Sequence, residues 1–201
     1  MPSDLDLASL VASRLCHDIV GAVGAIQNGL ELMDEDKAMA DMAIDLIAKS
    51  TAQASARLQF ARIAYGSAGG SAMLDPSEGR RLTEALFAGE KADLEWRWEG
   101  SPAPRDRVKL AMILAAYASG AVPRGGKVTV SDGEGMLRVE ASGTNVRRPA
   151  HLDVVTEGVE ANEPHAVQPI LVVKLAAALG LAVEVIAGEG SLAFELAPPK
   201  A

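Results

Sequence analysis

Between Ile44 and Tyr65 the chain sets an apolar or small residue at alternating steps of three and four: Ile44, Ile47, Thr51, Ala54, Leu58, Ala61 and Tyr65. That period is a heptad seam, and it commits the segment to a long helix with a partner along one side. The preceding segment carries a helical stripe of its own, Ala8, Val11, Leu15, Ala22, Ile26, Gly29 and Met33, with one double step. Asp34, Glu35 and Asp36 separate the two patterns. So short a polar break permits only a tight helix–helix connection. The pattern predicts an antiparallel hairpin of helices over 4–34 and 37–65, with Ser3 or Asp4 as the first cap. Two helices cannot bury both of their apolar faces alone, whereas two copies of the hairpin can, as a four-helix bundle. A homodimer with the hairpins at its centre is therefore expected.

After this hairpin the pattern changes. Residues 66–79 read as a linker, rich in Gly and Ser. A helix is predicted over 77–89, then a strand from Ala92 to Trp98 in which Leu94, Trp96 and Trp98 alternate with Glu95, Arg97 and Glu99. An Ala-rich helix over 105–120 leads to a turn at Pro123-Arg124-Gly125-Gly126. Strands at 128–130 and 137–141 are joined through Asp132-Gly133-Glu134-Gly135, a hairpin signal. A short helix over 151–159, a buried helix over 167–180 and a second hairpin over 182–187 and 192–196 complete the chain. The expected class is α+β: a helical hairpin unit over 1–66, then an α/β sandwich over 77–201 with helices on one face of a mostly antiparallel sheet.

Composition narrows the function. The net charge is −8 and no basic patch is evident in the sequence, which argues against nucleic acid as a direct partner. The one cysteine, Cys16, forms no internal disulfide, consistent with a reducing cytosol. There is no basic n-region followed by an apolar core, and no unbroken apolar run of about 18 residues, so a cytoplasmic protein without a membrane segment is expected.

Of the three histidines, only His17 lies within a helical pattern with a carboxylate, Asp18, beside it. A histidine held on a rigid helix next to an acid is a candidate nucleophile toward a phosphoryl group. Projected around the helix, Leu10, Ser13, Arg14, His17, Gly21, Gly24, Asn28 and Glu31 share one face apart from the core stripe, so the imidazole should meet solvent. Asp18 either hydrogen-bonds one ring nitrogen and leaves the other free, or pairs with Arg14 one turn back. Gly21 and Gly24 each cost a helix about 0.8–1 kcal/mol relative to Ala. Either they clear space beside His17 for another protein's surface, or they serve close packing on the second helix or a kink. The plain alternative for His17 is an ordinary exposed helix histidine. His151 and His165 read as non-catalytic residues near loops, Trp96 and Trp98 as strand core, and Cys16 as packed at the dimer seam.

The stretch from Ser13 to Leu32, with Cys16-His17-Asp18-Ile19 and Gln27-Asn28-Gly29-Leu30-Glu31, resembles the H-box of ChpT-type histidine phosphotransferases. His165-Ala166-Val167-Gln168-Pro169 and Leu114-Ala115-Ala116 with Val122-Pro123-Arg124-Gly125-Gly126 are similar to further markers of that group, and the likeness runs over nearly the whole chain. The resemblance implies a dimerisation hairpin followed by a Bergerat-like lobe, akin to a histidine kinase that has lost ATP. It implies a shuttle in which His17 takes a phosphoryl group from one receiver aspartate and gives it to another, with Asp18 as its catalytic partner. Arg14, Gly21, Gly24, Asn28 and Glu31 are the expected docking residues. The implied partners are the receiver domains of a CckA-like hybrid kinase and of CtrA-like and CpdR-like response regulators. No cofactor or metal of its own is expected, Mg2+ belonging to the receiver.

Nucleotide chemistry is expected to be absent for residue-level reasons. The magnesium-holding asparagines of kinase lobes fall on Ile113 and Tyr117, which supply no ligand suited to a hard cation. The adenine-reading aspartate is missing from Ala141-Ser142-Gly143-Thr144-Asn145, and the phosphate-cradling Gly-rich stretch is replaced by Val167-Gln168-Pro169-Ile170. Gly21 and Ala22 stand where the family usually has a polar residue and a proline, which leaves phosphatase action without a group to orient water. The rival reading is a dimeric scaffold that docks and sequesters response regulators without carrying phosphate.

Overall fold

Ser3 and Asp6 close a reciprocal cap: the Asp6 N–H donates to Ser3 Oγ at 3.2 Å and the Ser3 N–H donates to Asp6 Oδ2 at 3.3 Å. From this cap α1 runs unbroken over Asp4–Glu35. The computed structural model describes residues 2–35, 37–66 and 72–199. Asp36 of the expected break thus lies outside the described residues. A 3₁₀ turn, Lys37–Met39, leads into α2, Ala40–Ala64. The two helices are antiparallel: Gly29 lies against Ala43 and Ile47, and Asp18 lies against Arg57.

Only half of the heptad seam is covered by this pairing. Of the seam residues Ala61 is buried and Ile47, Ala54 and Tyr65 are half-buried, whereas Thr51 is exposed and Ile44 and Leu58 are 51% and 48% exposed. Ala43 and Ser50, each one residue before a seam position, are buried instead. A three-four pattern covers two flanks of a helix, and one neighbouring helix covers one of them. On α1, Ala22 and Gly29 are buried, while Val20, Val23 and Leu30 are 69%, 51% and 53% exposed. By length and composition alone α1 would be apolar enough to cross a membrane. Its position along α2 and the lobe gives part of that apolar surface another use.

The second half contains β1 (Met73–Leu74), α3 (Pro76–Phe87), β2 (Ala92–Trp96), β3 (Ala103–Pro104), α4 (Arg105–Ala118), β4 (Gly126–Gly133), β5 (Met136–Ser142), α5 (Leu152–Thr156), α6 (Val167–Ala178), β6 (Ala182–Gly188) and β7 (Ser191–Ala197). A five-stranded sheet has the order β2-β4-β5-β7-β6, with β2 and β4 parallel and the other pairs antiparallel. Its inner face, Val128, Val130, Leu137, Val139, Phe194 and Leu196, is buried with α4, whose residues Leu110 to Ala115 are wholly inaccessible. The outer face is polar, with Arg138 bound to Glu140 at 3.0 Å and to Glu195. This is the expected α+β arrangement.

The expected linker is too long. Residues 67–71 lie outside the described residues, but Met73–Leu74 pairs with Ala103–Pro104 and a helix begins at Pro76. Asp75 caps that helix by accepting from the Ser77 N–H at 2.8 Å, and Pro76 occupies the first turn, where a missing N–H costs nothing.

The hairpin and lobe meet in two places. Phe60, Ile63 and Ala64 of α2 join the main core. Leu10 of α1 packs with Val154, Ala166, Val167 and Ile170 in a smaller cluster. The latter corrects the expectation that the whole face bearing Leu10 and His17 is open: its N-terminal part is covered by the lobe.

Candidate functional site

His17 stands on α1 just beyond the Leu10 anchor, with its side chain 63% exposed. Its Nδ1 faces Asp18 Oδ1 at 3.5 Å. A carboxylate only accepts, so a hydrogen bond here is donated by Nδ1–H, and the neutral tautomer that makes it carries its lone pair on Nε2. The other oxygen of Asp18 accepts from Arg14 Nε at 2.8 Å. The two sequence-based alternatives for Asp18 therefore hold together, one for each oxygen. The backbone carbonyl of Asp18 also accepts from Arg57 Nη1, which ties α2 to α1 at this level.

The lobe contributes a residue that sequence reasoning set aside. His165, in the 3₁₀ turn Pro164–Ala166 ahead of α6, has its Nδ1 3.3 Å from Arg14 Nη1. Its ring lies 5.1 Å from that of His17, edge to face at 81°. The one sequence signal that marks it is the family-like phrase beginning at this residue. His151 instead starts α5 with a positive φ of 57° and has Nε2 3.7 Å from Glu163 Oε1.

Between hairpin and lobe is a cavity of about 290 Å³ lined by Arg14, Asp18, Tyr65, Tyr117, His165 and Gln168 among others. Gln168 Nε2 donates to the Tyr65 hydroxyl at 3.5 Å, and burial pushes the Tyr65 phenol above its ordinary range. Tyr117 donates to the Ala150 carbonyl at 2.9 Å, and its phenol too is raised by burial. Among the described residues no three His, Cys, Asp or Glu side chains cluster as a metal site requires.

Below His17 the helix is open. A β-carbon added at Gly21 or Gly24 would meet nothing within 4 Å, and α1 is unbroken there. Neither glycine is therefore required for packing on α2. Gly29 is the glycine that does: its added β-carbon would lie 2.6 Å from Ile47 Cγ1. Asn28 and Glu31 are exposed, Glu31 accepting from Gln27 Nε2 at 3.4 Å. Cys16 is exposed in the single chain.

Comparison with known proteins gives this arrangement its family. The family model for the histidine phosphotransferase C-terminal domain matches residues 76–191. Protein phosphotransferase ChpT of Brucella abortus (strain 2308) is 37% identical over 200 residues, covering 96% of this chain and 95% of its own. The chain belongs to the ChpT-type histidine phosphotransferases. A solved bacterial phosphotransferase superposes with a TM-score of 0.86 at 34% identity, over 98% of each chain. Membership makes this chain a phosphotransferase, with phosphotransfer within a phosphorelay as its role.

Several of the residues that the sequence sets against a kinase lobe's nucleotide positions are buried. Ile113 is wholly buried and Tyr117 is 5% exposed. Val167, Gln168, Pro169 and Ile170 are all buried in the first turn of α6, where Val167 and Ile170 pack with Leu10 and Gln168 lines the cavity.

Proposed function

We propose that this ChpT-type histidine phosphotransferase carries the phosphoryl group on Nε2 of His17, between receiver aspartates and without ATP. Phosphoryl transfer is largely positioning and charge stabilisation, and the receiver brings its own Mg2+. The Nε2 lone pair enters in line with the aspartyl phosphate; the N–P bond forms as the P–O bond to the aspartate breaks, and the aspartate leaves as a carboxylate. The Nδ1 proton stays on the ring, where Asp18 offsets the positive charge of the phosphoimidazole. The return step onto another receiver runs the same sequence backwards.

Gly21, Gly24, Asn28 and Glu31 form the slope on which the receiver docks, with Arg14 at its upper edge. The donor is the receiver of a CckA-like hybrid kinase, and the acceptors are CtrA-like and CpdR-like response regulators. The working form is a cytoplasmic homodimer in which the exposed flanks of two hairpins close a four-helix bundle; neither nucleic acid nor membrane takes part.

The observation that carries this reading is an imidazole 63% exposed with its Nδ1 engaged by a carboxylate. The test mixes the protein with a phosphorylated receiver. Acid-labile label is expected on His17 and none on His17→Ala, which still binds the receiver. Self-labelling from ATP would overturn the nucleotide-free part. Cellular output that survives His17→Ala would favour the scaffold.

A further inference from the structure

We infer that His165 is a positioning residue for phosphotransfer, supplied by the lobe to orient the His17 ring. The inference rests on His17 being the carrier. His17 alone is poorly held. Its contact with Asp18 is 3.5 Å long and its side chain is mostly in solvent. The terminal torsion of histidine is broad, so one long hydrogen bond does not fix which way Nε2 points.

His165 supplies the missing constraint. Its ring meets that of His17 edge to face at 5.1 Å, a favoured aromatic geometry that blocks rotation on that side. His165 is itself held. A guanidinium only donates, so Nδ1 of His165 accepts from Arg14 Nη1 at 3.3 Å and its proton sits on Nε2. The neighbouring Ala166 and Val167 are wholly buried, which anchors the turn that presents the ring.

Arg14 links the two supports. Nε holds Asp18 and Nη1 holds His165, so one guanidinium fixes both groups that flank the imidazole. Arg14 and His165 are 151 residues apart in the chain, and only the docking of lobe on hairpin through the Leu10 cluster brings them together. The nucleotide-type lobe thus completes the site on the helix.

The experiment compares the full-length protein with His165→Ala and His165→Phe. Single-turnover transfer from a phosphorylated receiver is measured over a range of receiver concentrations, and the ¹⁵N ring signals of His17 are recorded without phosphate. His165 is exposed, so its truncation leaves the core intact. In His165→Ala the maximal rate should fall about three- to tenfold with the half-saturating receiver concentration unchanged. The His17 signals should move from one tautomer toward an average, and His165→Phe should restore most of the rate. An unchanged rate with unchanged ring signals overturns the inference. So does a change confined to half-saturation, which marks a docking residue, or label on His165 itself. If the wild-type protein takes no label on His17, the carrier reading fails. The ring signals of the unphosphorylated protein then report separately whether His165 orients His17.

Discussion

Arg14 Nε lies 2.8 Å from Asp18 Oδ2, one helical turn away, while the other oxygen of the same carboxylate faces His17 Nδ1. Asp18 is 26% exposed and Arg14 19%, so the pair is partly shielded and its geometry is held by the helix itself. Asp18→Asn keeps an acceptor but removes the charge that offsets a phosphoimidazolium. Hydrogen bonds to charged groups contribute about 1.5–3 kcal/mol, so transfer through His17 should slow about 10- to 100-fold. Arg14→Ala should slow it less, and Arg14→Lys should not restore it, because an ammonium cannot reach Asp18 and His165 with one planar fork. Quench-flow transfer from a labelled receiver measures all three.

Gly24→Ala should have opposite effects on folding and docking. The added methyl meets nothing within the chain, so the helix gains about 0.8–1 kcal/mol and the melting temperature should rise by about 2–4 °C. On the proposed docking slope the same methyl should weaken receiver binding. Thermal melts and receiver titrations test the two effects separately. A variant that melts higher and binds the receiver normally would remove Gly24 from the docking surface.

Gly29→Ala should behave in the other direction. Its β-carbon would press on Ile47 and come within 3.2 Å of the Ala43 carbonyl, which cannot move without the helix. Overpacking of this kind costs about 1–3 kcal/mol, read as a lower melting temperature.

The exposed apolar flank makes a prediction about mass. Val23 and Leu30 of α1 and Ile44 and Leu58 of α2 are half or more exposed, or close to it, in the single chain. Light scattering should report twice the chain mass of 20.9 kDa for the wild type. Val23→Glu combined with Ile44→Glu should return a folded monomer. A wild type that is monomeric at high concentration would remove the bundle from the proposal.

The helices were legible because their apolar period persists for many turns, and the sheet because its strands alternate. What the heptad pattern could not say is which flank the neighbouring helix covers, since Ile44 and Ala43 are equally suited to a seam. Strands β1 and β3 have two residues each, too short for any alternation, and they pair across the length of α3 and β2. The helix start at Asp75-Pro76-Ser77-Glu78 has the form of a cap, an Asp followed three residues later by Glu, but it adjoins a Gly- and Ser-rich run whose composition is that of a loop. In the site, His17 and Asp18 are sequence neighbours and announce themselves. His165 and Arg57 reach it from other elements, and a lone histidine near a loop or an arginine on a helix looks like any other until the chain is folded.

Helix α1 is one 32-residue rod with three occupied sides: α2 along one, the exposed apolar flank along another, and the imidazole with its open slope along the third. Each residue advances the rod by about 100°. A single insertion between Asp18 and Val23 would therefore swing every surface beyond it out of phase with the histidine, even if each new side chain were harmless. In this segment the number of residues is as much a part of the working site as their identities.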